Sequence, residues 1–368
     1  MHRRMVAGLL LLLFLLPCAA RADSARIYSF PSDAPPQTLQ DMSFAIPAEE
    51  AVITMTFAGD CTLGGEPERR NHSGGFVKTV AREGFGYPFS GLATLFGSDD
   101  ATLVNLEGVL SDSMANRADK QFTFIGDPAY TEILTLGSVE CVTLANNHTL
   151  DFGNRGYRDT QTALSAAGVG YVSRENVLVI EKDGYRIGVT ASAFTLDRAG
   201  KERLAAQMDA LRTLGCHALV HVMHAGLEYA DRHGSQQEEV ARLAVSLGAD
   251  LVVGHHPHVA QDAALIENTP VIYSLGNCCF GGNMNPSVRD GLLLRTAFRF
   301  ADGEAAGMDW ALHPIRITGA EVGNDYCPVL LTGEAGQAAV DRLSRLTGMP
   351  AENYTEETGA WQPLLSMP

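Results

Sequence analysis

Short apolar runs that each stop at a cluster of polar residues constrain this chain more than any other feature. Val52–Ala58, Ala101–Leu106, Val139–Leu144, Ala218–Met223, Asp250–Val253 and Val271–Ser274 have the length and β-rich composition of buried strands. Helical stretches lie between them. Glu239–Leu247 places Val240, Leu243, Ala244 and Leu247 on one face, and Gly248 closes it. Lys201–Leu214 and Gly156–Ala167 read the same way. Lys182-Asp183-Gly184 turns Val177–Glu181 back onto Tyr185–Ala191, and Asp302-Gly303 does so between Leu292–Phe300 and Met308–Ile317. Strand–helix–strand units mixed with hairpins predict an α/β sandwich of mixed sheets.

The polar residues gather after the strands, not inside them. Asp60 follows the first strand, and Asn105-Leu106-Glu107 ends the second. Asn146-Asn147-His148 ends the third, His224 with Glu228 the fourth, and His255-His256-Pro257-His258 the fifth. In α/β folds ligands bind beyond the carboxyl ends of strands, so these blocks can share one site. Two carboxylates, an amide and several imidazoles suit Zn, Mn or Fe better than Ca, and the thiolates of a structural zinc site are missing. Taken singly each block has an ordinary explanation: Asp60 as a turn residue, Glu107 as a loop acid, Asn146-Asn147 as a turn, His224 as a satisfied core histidine. Three imidazoles in four positions, with Pro257 fixing the backbone between two, are harder to explain as a plain loop. His72, His217, His233 and His313 lack such a context. His221, three residues before His224 on a strand, faces the opposite side.

In order, the blocks resemble those of calcineurin-like metallophosphoesterases, and their wording resembles one branch, the CapA family of poly-γ-glutamate capsule synthesis proteins. The matching segments are Ala58-Gly59-Asp60 with Leu63-Gly64, Asn105-Leu106-Glu107, and Leu144-Ala145-Asn146-Asn147-His148 with Asp151-Phe152-Gly153. His224-x-Gly226-x-Glu228-Tyr229, Gly254-x-His256-Pro257-His258 and Tyr273-Ser274-Leu275-Gly276-Asn277 complete the set. The resemblance implies a four-layer α/β/β/α sandwich over residues 51–317, holding one or two divalent ions. Asp60 and His258 would hold one ion and Asn147, His224 and His256 the other, with Glu107 bridging. His148 would be the general acid, and Asn105 and Glu228 would support the ligands from behind.

Lys120-Gln121-Phe122-Thr123-Phe124 matches a further family segment, which makes Lys120, together with Arg289, a candidate contact for an anionic substrate. The resemblance also implies a phosphoester or anionic envelope polymer as substrate, and membrane partners in capsule synthesis. Three departures stand out. Ala225 replaces an aromatic, Cys278-Cys279 replace an aromatic–aliphatic pair, and Cys61-Thr62 follow Asp60 where the broader superfamily has Asp-x-His. The first ion site is therefore one ligand short. A metal-dependent hydrolase, a polymer-binding or export factor and a cell-surface protein with a vestigial site all stay open at this level.

Residues 1–22 carry Arg3-Arg4, an apolar run from Met5 to Leu16 and an Ala-Arg-Ala end, the layout of a Sec-type signal peptide. An extracytoplasmic, secreted protein is the expectation; Cys18 raises a lipoprotein alternative, which ranks second because Pro17 precedes it. Residues 23–50, with Pro31, Pro35, Pro36 and Pro47, are expected as an exposed linker, and 318–368 as an extension packed on the domain. Six cysteines remain after the leader, without a spacing that assigns pairs. Beyond the leader, 24 basic residues face 43 acidic ones, a balance that repels phosphate backbones and excludes nucleic acid as a partner.

Overall fold

The computed structural model describes residues 25–31, 45–363 and 365. The leader expected at 1–22 lies outside the described residues. Strands β1 (Arg26–Pro31) and β2 (Glu50–Thr62) come first, then helices α1 (Phe76–Glu83) and α2 (Ala93–Phe96). β3 (Ala101–Leu106), β4 (Val109–Leu110), β5 (Ile125–Gly126), α3 (Thr131–Leu136), β6 (Cys141–Thr143), α4 (Gly153–Ala166) and β7 (Gly170–Val172) follow. The next stretch runs β8 (Asn176–Lys182), β9 (Tyr185–Ala193), α5 (Arg198–Thr213), β10 (Ala218–His224), α6 (Ser235–Ser246) and β11 (Leu251–His255). The last runs β12 (Ala263–Ile266), β13 (Thr269–Ile272), β14 (Asn277–Phe280), β15 (Asp290–Ala301), β16 (Glu304–Arg316), β17 (Val329–Leu330), α7 (Gly333–Thr347), β18 (Tyr354–Thr355) and β19 (Ala360–Trp361).

Apart from β4 and β5, which pair with each other, these strands form two large sheets. One has seven strands in the order β1-β8-β9-β10-β11-β13-β12; the other has ten, along β18-β19-β16-β15-β2-β3-β6-β7, with β14 beside β2 and β17 beside β16. Side chains alternate across each strand, and the alternation builds the layers. Met55 and Phe57 of β2 meet Ile187 of β9 and Val220 and Val222 of β10 in a core between the sheets. Val104 and Val142 point outward and pack with Phe76 of α1 and Leu164 of α4. Leu219, Met223 and Val252 pack on the other side with Met208 of α5 and Val240 of α6. Helices, sheet, sheet, helices: the chain is a four-layer α/β sandwich of mixed sheets.

Two end segments add to this frame. Arg26–Pro31, inside the stretch expected as an exposed linker, pairs antiparallel with β8 and borders the seven-stranded sheet. At the other end β17 and β19 both pair with β16, while Val340 and Leu343 of α7 join the inter-sheet core and Trp361 is fully buried. The six described cysteines are free thiols, all buried except Cys216. No helix among the described residues is long and apolar enough to cross a membrane.

One local exchange of partners sets up the site. β15 pairs with β2 as far as Ala58, and β14 takes over from Asp60. Gly59 sits at the exchange, where a Cβ would lie 2.0 Å from the Gly276 carbonyl oxygen. The Asp60 N–H donates to that same carbonyl at 2.9 Å. Only glycine permits this approach, which brings Asp60 and Asn277 side by side.

Candidate metal centre

The carboxyl ends of β2, β3, β6, β10 and β11 converge at one edge of the sandwich, so both sheets supply side chains. Asp60, Asn105, Glu107, His224 and His255 are fully buried; His148, His256 and His258 are nearly so. Three sets of donor atoms lie within 4.8 Å of one another and could hold a metal ion: Asp60–Glu107–His258, Glu107–His224–His256 and Glu228–His256–His258. Glu107 belongs to the first two sets.

The two buried carboxylates differ sharply in their partners. Asp60 accepts from Asn105 Nδ2 at 2.7 Å and from the His256 N–H at 3.3 Å, and its oxygens lie 3.2 Å from His258 Nδ1 and 3.4 Å from His255 Nδ1. Burial alone raises its pKa, but the contacts with His255 and His258 outweigh burial and hold the carboxyl well below the usual range. Glu107 has its backbone pinned on both sides, its N–H to the Cys61 carbonyl and its carbonyl to Thr62 Oγ1. Yet neither carboxylate oxygen has a hydrogen-bond donor among the described residues. Burial therefore drives the Glu107 carboxyl well above its ordinary pKa, more than the His258 charge lowers it. His258 is pulled the other way, up to about 10, chiefly because burial is overcome by the charges of Glu107 and Asp60. The two directions compete for one proton, and the orphaned oxygens of Glu107 decide for the first: with no donor on either oxygen, only a proton or a cation relieves that charge.

The imidazoles are held from behind. His224 Nδ1 faces Asn105 Nδ2 at 3.2 Å and Nε2 faces Asn147 Oδ1 at 2.8 Å. Asn146 Nδ2 donates to Asn105 Oδ1 at 3.0 Å, so one amide chain links β3, β6 and β10. Burial keeps both His224 and His256 below the ordinary histidine pKa, which leaves a neutral ring as a ligand needs. His258 Nδ1 lies 3.0 Å from Asn277 Oδ1. His256 and His258 both take positive φ, 98° and 59°, a conformation that costs these residues on the order of 1 kcal/mol each. The Tyr229 N–H staples the intervening Pro257 carbonyl at 2.8 Å, which holds the strained turn.

His148 stands apart from these three. Its Nδ1 is 2.7 Å from Asp151 Oδ2, and its Nε2 points toward Glu107, 3.7 Å from Oε1. Burial lowers its pKa more than Asp151 raises it. The neutral ring thus donates from Nδ1 to Asp151 and leaves a lone pair on Nε2 at the cleft. Lys120 Nζ pairs with Asp151 Oδ1 at 2.5 Å and donates to the Asn147 carbonyl at 2.8 Å.

Other side chains singled out in the sequence fall elsewhere. Arg289 spends its guanidinium on the carbonyls of Ala320, Glu321 and Gly323, clamping the 318–325 loop, and is not among the residues that converge here. Glu228 is exposed and joins His256 and His258, not the back of His224. His221 is a satisfied core histidine between Thr190 Oγ1 and Ser192 Oγ, each at 2.9 Å. Asp151 and Asn277 carry contacts to which sequence reasoning assigned no role; each sits in a matched block, three residues after His148 and one after Gly276.

A family model described as bacterial capsule synthesis protein PGA_cap matches residues 54–282, more than half of the chain. The chain belongs to this family. The match spans every converging residue from Asp60 to Asn277 and leaves Arg289 outside. Membership is consistent with the calcineurin-like superfamily. Among relatives of this PGA_cap chain, the capsule biosynthesis protein CapA of Bacillus anthracis is 28% identical over 258 residues, covering 63% of this chain and 61% of that protein. The PGA biosynthesis protein CapA of Bacillus subtilis (strain 168) is 25% identical over 250 residues, covering 62% and 63%. A probable polyglutamine synthesis accessory protein of Mycobacterium tuberculosis is 26% identical over 281 residues, covering 61% and 74%. The chain thus spans about six tenths of the length of the two Bacillus proteins.

Proposed function

We propose that this chain is an exported envelope protein of capsule or poly-γ-glutamate synthesis, whose metal centre hydrolyses a phosphoester or γ-glutamyl amide in an anionic substrate. The observation that carries the hydrolytic reading is Glu107: a buried carboxylate without a single donor, common to two sets of nitrogen and oxygen ligands. The names of the relatives support the polymer context, and the apolar run at Met5–Leu16 supports export.

Asp60, Glu107 and His258 would hold one divalent ion, and Glu107, His224 and His256, with Asn147 beside them, a second; Mn, Zn and Fe suit these donors. When bound, such ions supply Lewis acidity and positive charge where a hydrolytic transition state becomes anionic. The protein's own groups do the rest. Asn105 and the His256 N–H fix Asp60 in place, and Asn277 fixes His258. His148 offers Nε2 beside Glu107, and Asp151 holds its tautomer. An anionic group entering the cleft favours the imidazolium, so His148 then carries the proton that a leaving group needs. Phe194, edge-on to His256 with ring centroids 5.2 Å apart, and Tyr229, 6.2 Å from His258, give the cleft an aromatic rim that limits water.

The test is metal analysis of the purified protein and of His256→Ala and His258→Ala, followed by assays on a generic phosphodiester and on poly-γ-glutamate. Wild type is expected to retain divalent metal and both variants to lose most of it; equal metal in all three would overturn the centre. His148→Ala is expected to keep metal while turnover falls about 100-fold or more. Polymer binding without turnover in wild type would make the chain a binding factor instead.

A further inference from the structure

Beside the metal centre the chain folds a second concavity that the hydrolytic reading does not use. The cavity is about 150 Å³, the size that accommodates a benzene-sized group. Its frame is backbone packed on backbone. Gly65 bridges Ile125, and a Cβ on Gly64 or Gly126 would lie 2.2 Å from the Ile125 carbonyl oxygen or 1.9 Å from that of Leu63. Phe76 and Tyr130 line it in an edge-to-face pair 5.7 Å apart. Two of its lining residues touch the metal centre through their chain neighbours. Phe124, before Ile125, lies 4.3 Å from the His148 ring, and Phe280, before Gly281, lies 5.0 Å from the His258 ring.

The charges in this cavity do not cancel internally. Glu66 and Arg69 neutralise each other at 2.8 Å, but the Arg70 guanidinium and the exposed Asp112 carboxylate, which also lines the cavity, have no hydrogen bond or ion pair among the described residues. Asp127 spends one oxygen on the Ala129 N–H, and the other has no partner among the described residues. The Tyr130 hydroxyl has no hydrogen-bond partner among the described residues and senses both charges. Burial raises its pKa, with Asp127 acting in the same direction and Arg70 against. A simple anion meets Asp112 and Asp127, and a simple cation meets Arg70; each is penalised by at least one like charge. A ligand carrying both signs on adjacent atoms satisfies both.

We propose that this cavity binds the zwitterionic head of an α-amino acid, its carboxylate on Arg70, its ammonium on Asp127 and its side chain against the packed Phe76–Tyr130 pair. In a γ-linked glutamate chain only the amino-terminal unit keeps a free α-ammonium and α-carboxylate on one carbon, because every later nitrogen is acylated. On the polymer reading proposed above, the cavity therefore selects the amino-terminal end of the chain over its interior, one aromatic pair away from the metal centre.

Calorimetric titration of the full chain separates this proposal from the hydrolytic one. L-glutamate is the probe. Glutarate, which lacks the ammonium, and 4-aminobutyrate, which lacks the α-carboxylate, are the controls. Saturable glutamate binding is expected, with each control weaker by about tenfold or more, the worth of one charge-assisted hydrogen bond. Arg70→Gln and Asp127→Asn are expected to weaken glutamate to a similar degree. Both should keep the wild-type melting temperature, since Arg70 is unpaired and Asn still caps Ala129. His258→Ala is expected to bind glutamate as wild type does, whether or not the metal centre is catalytic. Three outcomes each overturn the proposal: no saturable binding, controls binding as well as glutamate, or binding lost in His258→Ala and kept in Arg70→Gln.

Discussion

The strands β2, β3 and β6 carry acidic residues at both of their ends, half-buried at the amino end and fully buried at the carboxyl end, and the two ends treat them differently. At the amino end Asp100 accepts from the Thr54 N–H at 2.8 Å and Oγ1 at 2.9 Å and pairs with Lys182 at 2.8 Å. Asp99 accepts from Thr102 Oγ1 and Glu140 from the Thr102 N–H, each at 2.8 Å. At the carboxyl end Asp60 is equally well supplied, while Glu107, one strand away, has nothing. A buried carboxylate with donors holds strands together; one without donors is a cost the fold keeps for another purpose. Partner supply separates Glu107 from Asp60 at equal burial, and from the half-buried acids at the structural end.

The largest expected effect breaks that contrast directly. Glu107→Gln removes the unpaired charge and the oxygen common to two ligand sets. Metal affinity is expected to fall by more than about a hundredfold, beyond what loss of an outer-shell partner usually costs. In chelator, the same variant is expected to melt higher than wild type, by on the order of 1–3 kcal/mol, because an unsatisfied buried acid has gone. Asp60→Asn in chelator should move stability the other way, since its donors would lose their charged acceptor. Thermal melts with and without added Mn²⁺ or Zn²⁺ read both arms. A Glu107→Gln protein that melts lower in chelator would show that Glu107 is structural after all.

How much of this was legible in the sequence depends on where each signal is stored. Asp60, Glu107, His148, His224, His256 and His258 follow apolar strands, and strand polarity alone brings such ends to one edge. The two large hairpins and the helices α5 and α6 announce themselves through turn residues and a 3.6-residue stripe. β1 does not: six residues in a Pro- and Ser-rich stretch become a strand because β8 offers an edge, a tertiary cause without a local pattern. β14 is four residues with a register break, too short for periodicity. Arg289 looked free for a ligand because backbone carbonyls thirty residues away leave no trace in its own neighbourhood. Glu228 gathers with His256 and His258, about thirty residues on, a neighbourhood that its own stretch of sequence does not display. The bare oxygens of Glu107 could not be read at all, since a missing partner is a property of the packed state.

A smaller effect sharpens the contrast within the site. Asp151 is buried and supplied from three sides, by His148, Lys120 and the Phe124 N–H at 2.6 Å. It resembles the acids at the amino end, yet what it holds faces the cleft. Asp151→Asn keeps an acceptor for Phe124 but weakens the preference for a proton on His148 Nδ1. Turnover in the proposed hydrolysis is expected to fall about 10–100-fold with metal content unchanged, and the pH profile to shift with it. Loss of metal in this variant would instead make Asp151 a support for the ligands.

The smallest effect tests the structural end alone. Burial is the main cause that raises Glu140 to about 7 and Asp99 to about 6, only partly offset by their hydrogen bonds to Thr102. For a carboxyl raised in the folded state, stability is complete below the unfolded value near 4 and is lost as pH rises through the folded value. These two carboxyls are therefore expected to contribute less stability as pH rises from about 5 to about 8. Glu140→Gln keeps the acceptor for the Thr102 N–H and removes the charge. It should gain roughly 1–2 kcal/mol at pH 8, nothing at pH 4, and leave metal content untouched. Denaturant melts at the two pH values decide it. A gain at both would point to packing rather than charge. A change in metal content would mean that the two ends of these strands are coupled, and the separation between structural and functional acids would fail.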